Sequence, residues 1–225
     1  MLKRIITLIL ACMLIATFTS SCINRASHPD TDSVGWKELF NDDFSNAIYK
    51  PGSWAVETGR VIAAHHDELF WTKEQYDDFI LDCEFKFDKN ANSGILLRTG
   101  DLADWIQTGI EVQVRDSYEQ KEFSKYECGS IFDIIAPNKK AVKPVGEWNR
   151  FTITCKGNNI NVVLNGVEVT DIDLNKWTEA HKNPDGTKNK FRTAYKDMPK
   201  KGQIGFQGQH GGAQVWYRNM RIKEL

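Results

Sequence analysis

The chain has 225 residues, 41% apolar, 26% charged and 11% aromatic, with 29 Lys and Arg against 30 Asp and Glu and a formal net charge of -1. That balance argues against intrinsic disorder and leaves no basic field to recruit nucleic acid or an anionic membrane surface. One main domain is expected, since sandwiches and barrels reach about 200–250 residues as a single unit.

Residues 1–21 open with Lys3 and Arg4, run apolar from Ile5 to Phe18, and close on Thr19, Ser20 and Ser21 before Cys22. This is the pattern of a secretory signal, and its apolar run is shorter than the ~20 residues of a spanning helix. A Cys directly after small residues resembles a bacterial lipoprotein signal. Cys22 would then carry lipid and form the chain's only membrane contact, placing the protein in the periplasm or on the outer membrane; plain cleavage is the alternative. Residues 22–34 are polar and aperiodic and read as a flexible tether, leaving 35–225 as the folded domain.

From Gly35 onward nearly every periodic segment has period two. Trp54–Glu57 and Val61–Ala64 flank a Thr-Gly-Arg turn and suggest a hairpin. Phe79, Leu81, Cys83, Phe85 and Phe87 alternate with polar or smaller residues, as do Phe151, Ile153 and Cys155, which is the signature of half-buried strands. Residues 160–164 and 167–171 enclose Asn165-Gly166, the pair favoured by a tight type I′ turn. The segment 174–200 is a long irregular insertion, either functional or a solvated excursion. Strands at 203–206 and 214–225 complete the chain. No amphipathic helix of three turns is present, so the class is all-β, a two-sheet antiparallel sandwich. Cys83 and Cys155 fall on apolar strand faces, as buried inert thiols or as a bridge. No Cys/His spacing suits structural zinc, and no cofactor is implied.

Several segments could carry chemistry. In Ile110–Arg115, alternation puts Ile110, Val112 and Val114 on one face and Glu111, Gln113 and Arg115 on the other. That polar row is either a solvent face or the floor of a polar groove for a hydroxyl-rich ligand. Asn92-Ser93-Gly94 opens a mostly apolar strand that carries Arg98, whose natural partner would be Glu111. Gly205–Gly212 packs four glycines around Gln207, Gln209 and His210, leaving His210 accessible as an acid, base or donor, or merely as a surface residue. A loop region spanning Asp133, Lys143 and Trp148 is polar and aromatic. Sandwich glycosidases that retain configuration place paired carboxylates on one strand, whereas here Glu111-x-Gln113-x-Arg115 has a single acid.

Gly-Trp-Lys-Glu-Leu-Phe at 35–40, Leu-Phe-Trp-Thr-Lys-Glu-Gln-Tyr-Asp-Asp-Phe at 69–79, Asn-Ser-Gly-Ile at 92–95, Ile-Glu-Val-Gln-Val at 110–114, Lys-Pro-Val-Gly-Glu-Trp-Asn at 143–149, Leu-Asn-Gly at 164–166 and Arg-Asn-Met-Arg-Ile-Lys-Glu-Leu at 218–225 together resemble the 3-keto-disaccharide hydrolase family. The resemblance implies a concanavalin A-like jelly-roll sandwich with a sugar site on its concave sheet. It also implies cleavage of glycosides oxidised at carbon 3, where one base removes the C2 proton and the aglycone leaves C1 by β-elimination before water adds. Glu111 would be the base or would orient it, with His210 as the second acid/base. Arg98 or Lys143 would stabilise the enolate. Asn92, Gln113 and Gln207 would bind hydroxyls, with Lys143, Asp133 and Trp148 completing the substrate contacts. Phe132 stands where a Tyr is common in this pattern, which leaves Asp133 or water as the leaving-group acid. A non-catalytic carbohydrate-binding lipoprotein on the same sandwich is the competing expectation.

Overall fold

The computed structural model describes residues 28–59 and 61–225; the signal segment and Cys22 lie outside the described residues. Thirteen strands follow in chain order: β1 Lys37–Glu38, β2 Ala47–Ile48, β3 Trp54–Glu57, β4 Val61–Ala64, β5 Leu69–Thr72, β6 Phe79–Phe87, β7 Asn92–Thr99, β8 Ile110–Arg115, β9 Asn149–Lys156, β10 Asn159–Leu164, β11 Val167–Asp173, β12 Gln203–Gln207 and β13 Val215–Glu224. The only α-helix among the described residues is the four-residue α1, Trp105–Thr108, between β7 and β8. The strands form two antiparallel sheets, a larger one ordered β11-β10-β9-β6-β13-β4-β3 with β1 also on β13, and a smaller one ordered β2-β5-β12-β7-β8. The fold is the expected all-β jelly-roll sandwich.

Alternation explains the core. Phe79, Leu81, Cys83, Phe85 and Phe87 of β6, Phe151, Ile153 and Cys155 of β9, and Ile110, Val112 and Val114 of β8 are all at most 1% exposed and join one apolar cluster between the sheets. Each aromatic or branched side chain so buried contributes about 1.5–3 kcal/mol relative to exposure. The Asn-Gly hairpin forms as expected, with Asn165 at φ 51° and Gly166 at φ 78°, the two positive values a type I′ turn requires. Cys83 and Cys155 are free, buried thiols. Cys83 pairs with Phe151 and Cys155 with Phe79 across the β6–β9 ladder, so a four-residue offset of roughly 13 Å separates them at strand rise, beyond disulfide reach.

Residues 28–34, expected as part of a free tether, lie pinned on the outer face of the larger sheet. His28 Nδ1 is 2.9 Å from Thr152 Oγ1, Arg150 donates to the Pro29 carbonyl (3.0 Å), and Arg221 donates to the Thr31 carbonyl (2.9 Å). Those arginines come from β9 and β13, where alternation turns them outward.

Candidate active site

The outer face of the smaller sheet carries the polar row. Register places Trp71, Gly205, Leu96 and Glu111 side by side across β5, β12, β7 and β8. Gly94 sits opposite Gln113 in the neighbouring row, and Asn92 opposite Arg115. This is not a wet face: Trp71, Leu96, Gln113 and Gln207 are 6%, 1%, 1% and 5% exposed. Part of the cover comes from residues 129–132, which bond to the free side of β8: Gly129 donates to the Gln113 carbonyl (2.9 Å), Gln113 to the Ser130 carbonyl (3.0 Å) and Phe132 to the Glu111 carbonyl (3.0 Å).

Two glycines shape the floor. A Cβ on Gly94 would stand 2.3 Å from Glu111 Oε1, and one on Gly205 would stand 2.3 Å from the Trp71 ring. The carboxylate and the indole therefore lie flat across strands that leave them room, which is the use of mid-strand glycine where a group must come close to the backbone. Gln113 holds the carboxylate: with its amide turned, and that of Asn92 turned to meet it, it donates to Glu111 Oε1 (3.0 Å) and to the Ser93 carbonyl (3.2 Å). Burial pushes the half-buried Glu111 carboxyl up to about 7, against the pull of Lys190 and then of His210. A carboxylate poised near neutrality has the proton affinity of a general base.

His210 reaches the same end of the face. Its backbone bridges Asn92, and its Nδ1 lies 2.8 Å from Asp67 Oδ2, with both side chains about half exposed. A carboxylate only accepts, so Nδ1 carries the proton and Nε2 is left for exchange with a ligand.

The structure brings Glu111, Gln113, Asn92, Gln207 and His210 to one face, with Asp133 behind it. Asp133 accepts from Tyr126 Oη (2.8 Å) and from the Lys190 backbone N–H (2.7 Å), and pairs with Lys125 Nζ (2.7 Å). It acts as a buried anchor of the loop rather than as an open ligand group. Three other expectations are corrected. Arg98 does not face Glu111. It adopts φ 51° at the end of β7, which breaks the alternation and sends its fully buried guanidinium to the end of the sandwich. There it donates to the Asp77 carbonyl (2.5 Å), the Gly157 carbonyl (2.6 Å) and Asp78 Oδ1 (2.9 Å). Lys143 caps the loop before β9, its Nζ donating to the Trp148 carbonyl (2.9 Å). Trp148, in the loop that leads into β9, stacks on the Arg218 guanidinium of β13 at 3.8 Å, on the larger sheet.

The insertion supplies what the strand pattern could not show. Trp177, Phe191, Tyr195 and Met198 bury themselves at 6% exposure or less, so 174–200 is an anchored lobe and not a solvated excursion. Gln107 of α1 ties it down, accepting from the Arg192 N–H (2.9 Å) and donating to the Lys190 carbonyl (3.3 Å). Lys190 is thereby set beside Glu111. Tyr195 Oη is buried without a hydrogen-bond partner; burial first, then the charges of Glu111 and Asp133, hold its phenol far above its ordinary pKa.

The 3-keto-alpha-glucoside-1,2-lyase-like domain model matches residues 35–223. A 3-keto-disaccharide hydrolase from Bacteroides thetaiotaomicron is 25% identical over 173 residues, 67% of this chain and 60% of that protein, so the chain spans about three fifths of that relative's length. A crystal structure of a candidate glycosyl hydrolase from Parabacteroides distasonis superposes with a TM-score of 0.81 at 39% identity, covering 84% of this chain and 99% of the other. A carbohydrate binding module from Bacillus subtilis shares the fold at a TM-score of 0.52 and 14% identity, over 80% and 96% of the two chains. With the model spanning almost the whole described domain, this chain belongs to the 3-keto-alpha-glucoside-1,2-lyase-like domain family.

Proposed function

We propose that this protein cleaves 3-keto-glycosides or 3-keto-disaccharides by elimination across C1 and C2. The observation that carries the reading is Glu111: a single half-buried carboxylate with its pKa at about 7, laid over Gly94 and held by Gln113. The neighbouring acids are engaged, Asp133 by Tyr126 and Lys125 and Asp67 by His210, so a paired-carboxylate mechanism has no second free member here. A ketone at C3 removes that requirement by acidifying the C2 hydrogen. Glu111 takes the C2 proton, and the C–H electrons pass into an enolate on the C3 oxygen. That enolate collapses to form the C1–C2 double bond and breaks the bond from C1 to the aglycone oxygen. His210, oriented by Asp67, protonates the departing alkoxide. Water then adds to the enone at C1 and returns the free 3-keto sugar. Asn92, Gln113 and Gln207 offer amides to the ring hydroxyls. The match to a 1,2-lyase-like domain supports the C1–C2 elimination.

The test is aglycone release from a chromogenic 3-keto glucoside. Wild-type turnover that rises with pH to a plateau with a midpoint near 7, and that Glu111→Gln abolishes while binding persists, is the expected result. Binding without turnover across a panel of keto-glycosides would refute the enzyme reading in favour of a binding module. The N-terminal pattern further supports an exported lipoprotein, checked by incorporation of labelled palmitate that Cys22→Ser removes.

A further inference from the structure

The proposed elimination leaves one part unassigned. Negative charge accumulates on the C3 oxygen, and the two cations first expected to meet it, Arg98 and Lys143, are bound elsewhere. Lys190 is placed for that task. Its main chain is held on both sides, the N–H by Asp133 Oδ2 and the carbonyl by Gln107, so the residue has a fixed origin although it lies in an irregular segment. Its Nζ stands 4.2 Å from the centroid of the Phe132 ring and 5.7 Å from that of Phe191. Phe132 in turn is bonded through its backbone to Glu111. Among the described residues the Lys190 ammonium has these ring faces as neighbours but no hydrogen-bond or ion-pair partner, and of the charges near Glu111 it acts most strongly. A cation held by ring faces beside a general base keeps its three donors available for a ligand.

We propose that Lys190 is a catalytic residue that hydrogen-bonds the C3 oxygen of the oxidised sugar and carries the charge that develops there. The assignment rests on the elimination reading above. It makes the site selective for a ketone, because an ordinary C3 hydroxyl develops no charge for Lys190 to meet, whereas an enolate oxygen gains most from a preset donor. The group acts as an ammonium: Glu111 and Asp133 favour its charged form, while burial, the larger influence, lowers its pKa and so makes it a readier donor to the enolate. No bond to Lys190 forms. The proton leaves C2 for Glu111, and the electron pair rests on the C3 oxygen until the aglycone departs.

Two compounds separate this role from the overall reaction. The first is p-nitrophenyl 3-keto-glucoside, which reports elimination. The second is 1,5-anhydro-3-keto-glucitol, which has no leaving group at C1 and reports only exchange of the C2 hydrogen in deuterium oxide. Lys190→Met is expected to lower both kcat/KM and the exchange rate by about 10²–10³-fold, the usual cost of removing one donor from such a site. Lys190→Arg should recover a large part of each. The pH midpoint of activity should also rise in Lys190→Met, because Glu111 loses the cation beside it, whereas a lysine whose ammonium pointed away from the base would leave that midpoint in place. The urea midpoint should stay put, since the anchoring contacts are made by the main chain. Undiminished exchange in Lys190→Met, beside an active wild type, would overturn the assignment. So would a borohydride-trapped sugar adduct on Lys190, which would mean imine chemistry instead. A wild type inert on both compounds would overturn the elimination reading and this assignment with it.

Discussion

Replacing Glu111 with Gln tests the site without any knowledge of its substrate. The folded protein holds this carboxyl at about 7 where its ordinary value is 4.5. The raised value means the native state keeps the proton that the unfolded chain releases. Its stabilising contribution is present in full below pH 4.5 and disappears as pH rises through about 7. Each tenfold change in proton affinity corresponds to about 1.4 kcal/mol, so the full loss is about 3 kcal/mol, trimmed to about 2–3 kcal/mol because one side of the carboxylate meets solvent. Urea unfolding of wild type and Glu111→Gln, run in parallel from pH 4 to pH 9, should give stability curves that diverge between pH 4.5 and 7.5 and run parallel above, with the variant the more stable at alkaline pH. A difference that stays flat across this range would refute the claim that burial sets the base, and the midpoint assigned to activity would fall with it.

Further outcomes follow from the same contacts. In Gly94→Ala the new methyl would meet Glu111 Oε1, Cγ and Cδ at 2.3, 2.8 and 2.9 Å, so the flexible carboxylate must move. Activity should drop about 10²-fold, as for a catalytic group displaced by about 1 Å, with the unfolding midpoint little changed; full kcat would show that Glu111 is not the base. Arg98→Met strands the Asp77 and Gly157 carbonyls and should cost about 3 kcal/mol in chemical denaturation while leaving the specific activity of the folded fraction intact. The thiols of Cys83, Cys128 and Cys155 are buried, with Cys128 and Cys155 pushed up to about 12. Ellman's reagent at pH 8 should therefore miss all three in the native protein and find them in urea; rapid native labelling would contradict their burial.

Local alternation made much of the site legible. Ile110–Arg115 has strict period two, so Glu111 and Gln113 could be assigned to the outer face before any sheet was known. The same reasoning failed at Arg98. Counting by twos from Asn92 through Gly94 and Leu96 puts Arg98 on that face, but a left-handed backbone at residue 98 reverses the direction, and nothing in Ile-Leu-Leu-Arg announces it. Lys143 and Trp148 were misplaced for a different reason: they lie in the loop that leads into β9, and a strand's pattern says which face is buried, not which sheet it joins; β9 joins the larger one. Lys190 carries no periodic signal at all. Its position comes from bonds to Asp133 and Gln107, 57 and 83 residues away. The pinning of residues 28–34 was hidden similarly, since its arginines lie 121 and 190 residues downstream.

That pinned strap turns a tether into a mount. Residues 28–31 lie across the outer face of the larger sheet, on the opposite side of the sandwich from Glu111. Five residues separate Cys22 from His28, six steps of chain that span at most about 22 Å. If Cys22 carries lipid, as proposed above, the outer face of the larger sheet is the one nearer the bilayer and the Glu111 face of the smaller sheet is the one farther from it, so substrate reaches Glu111 without passing between protein and membrane.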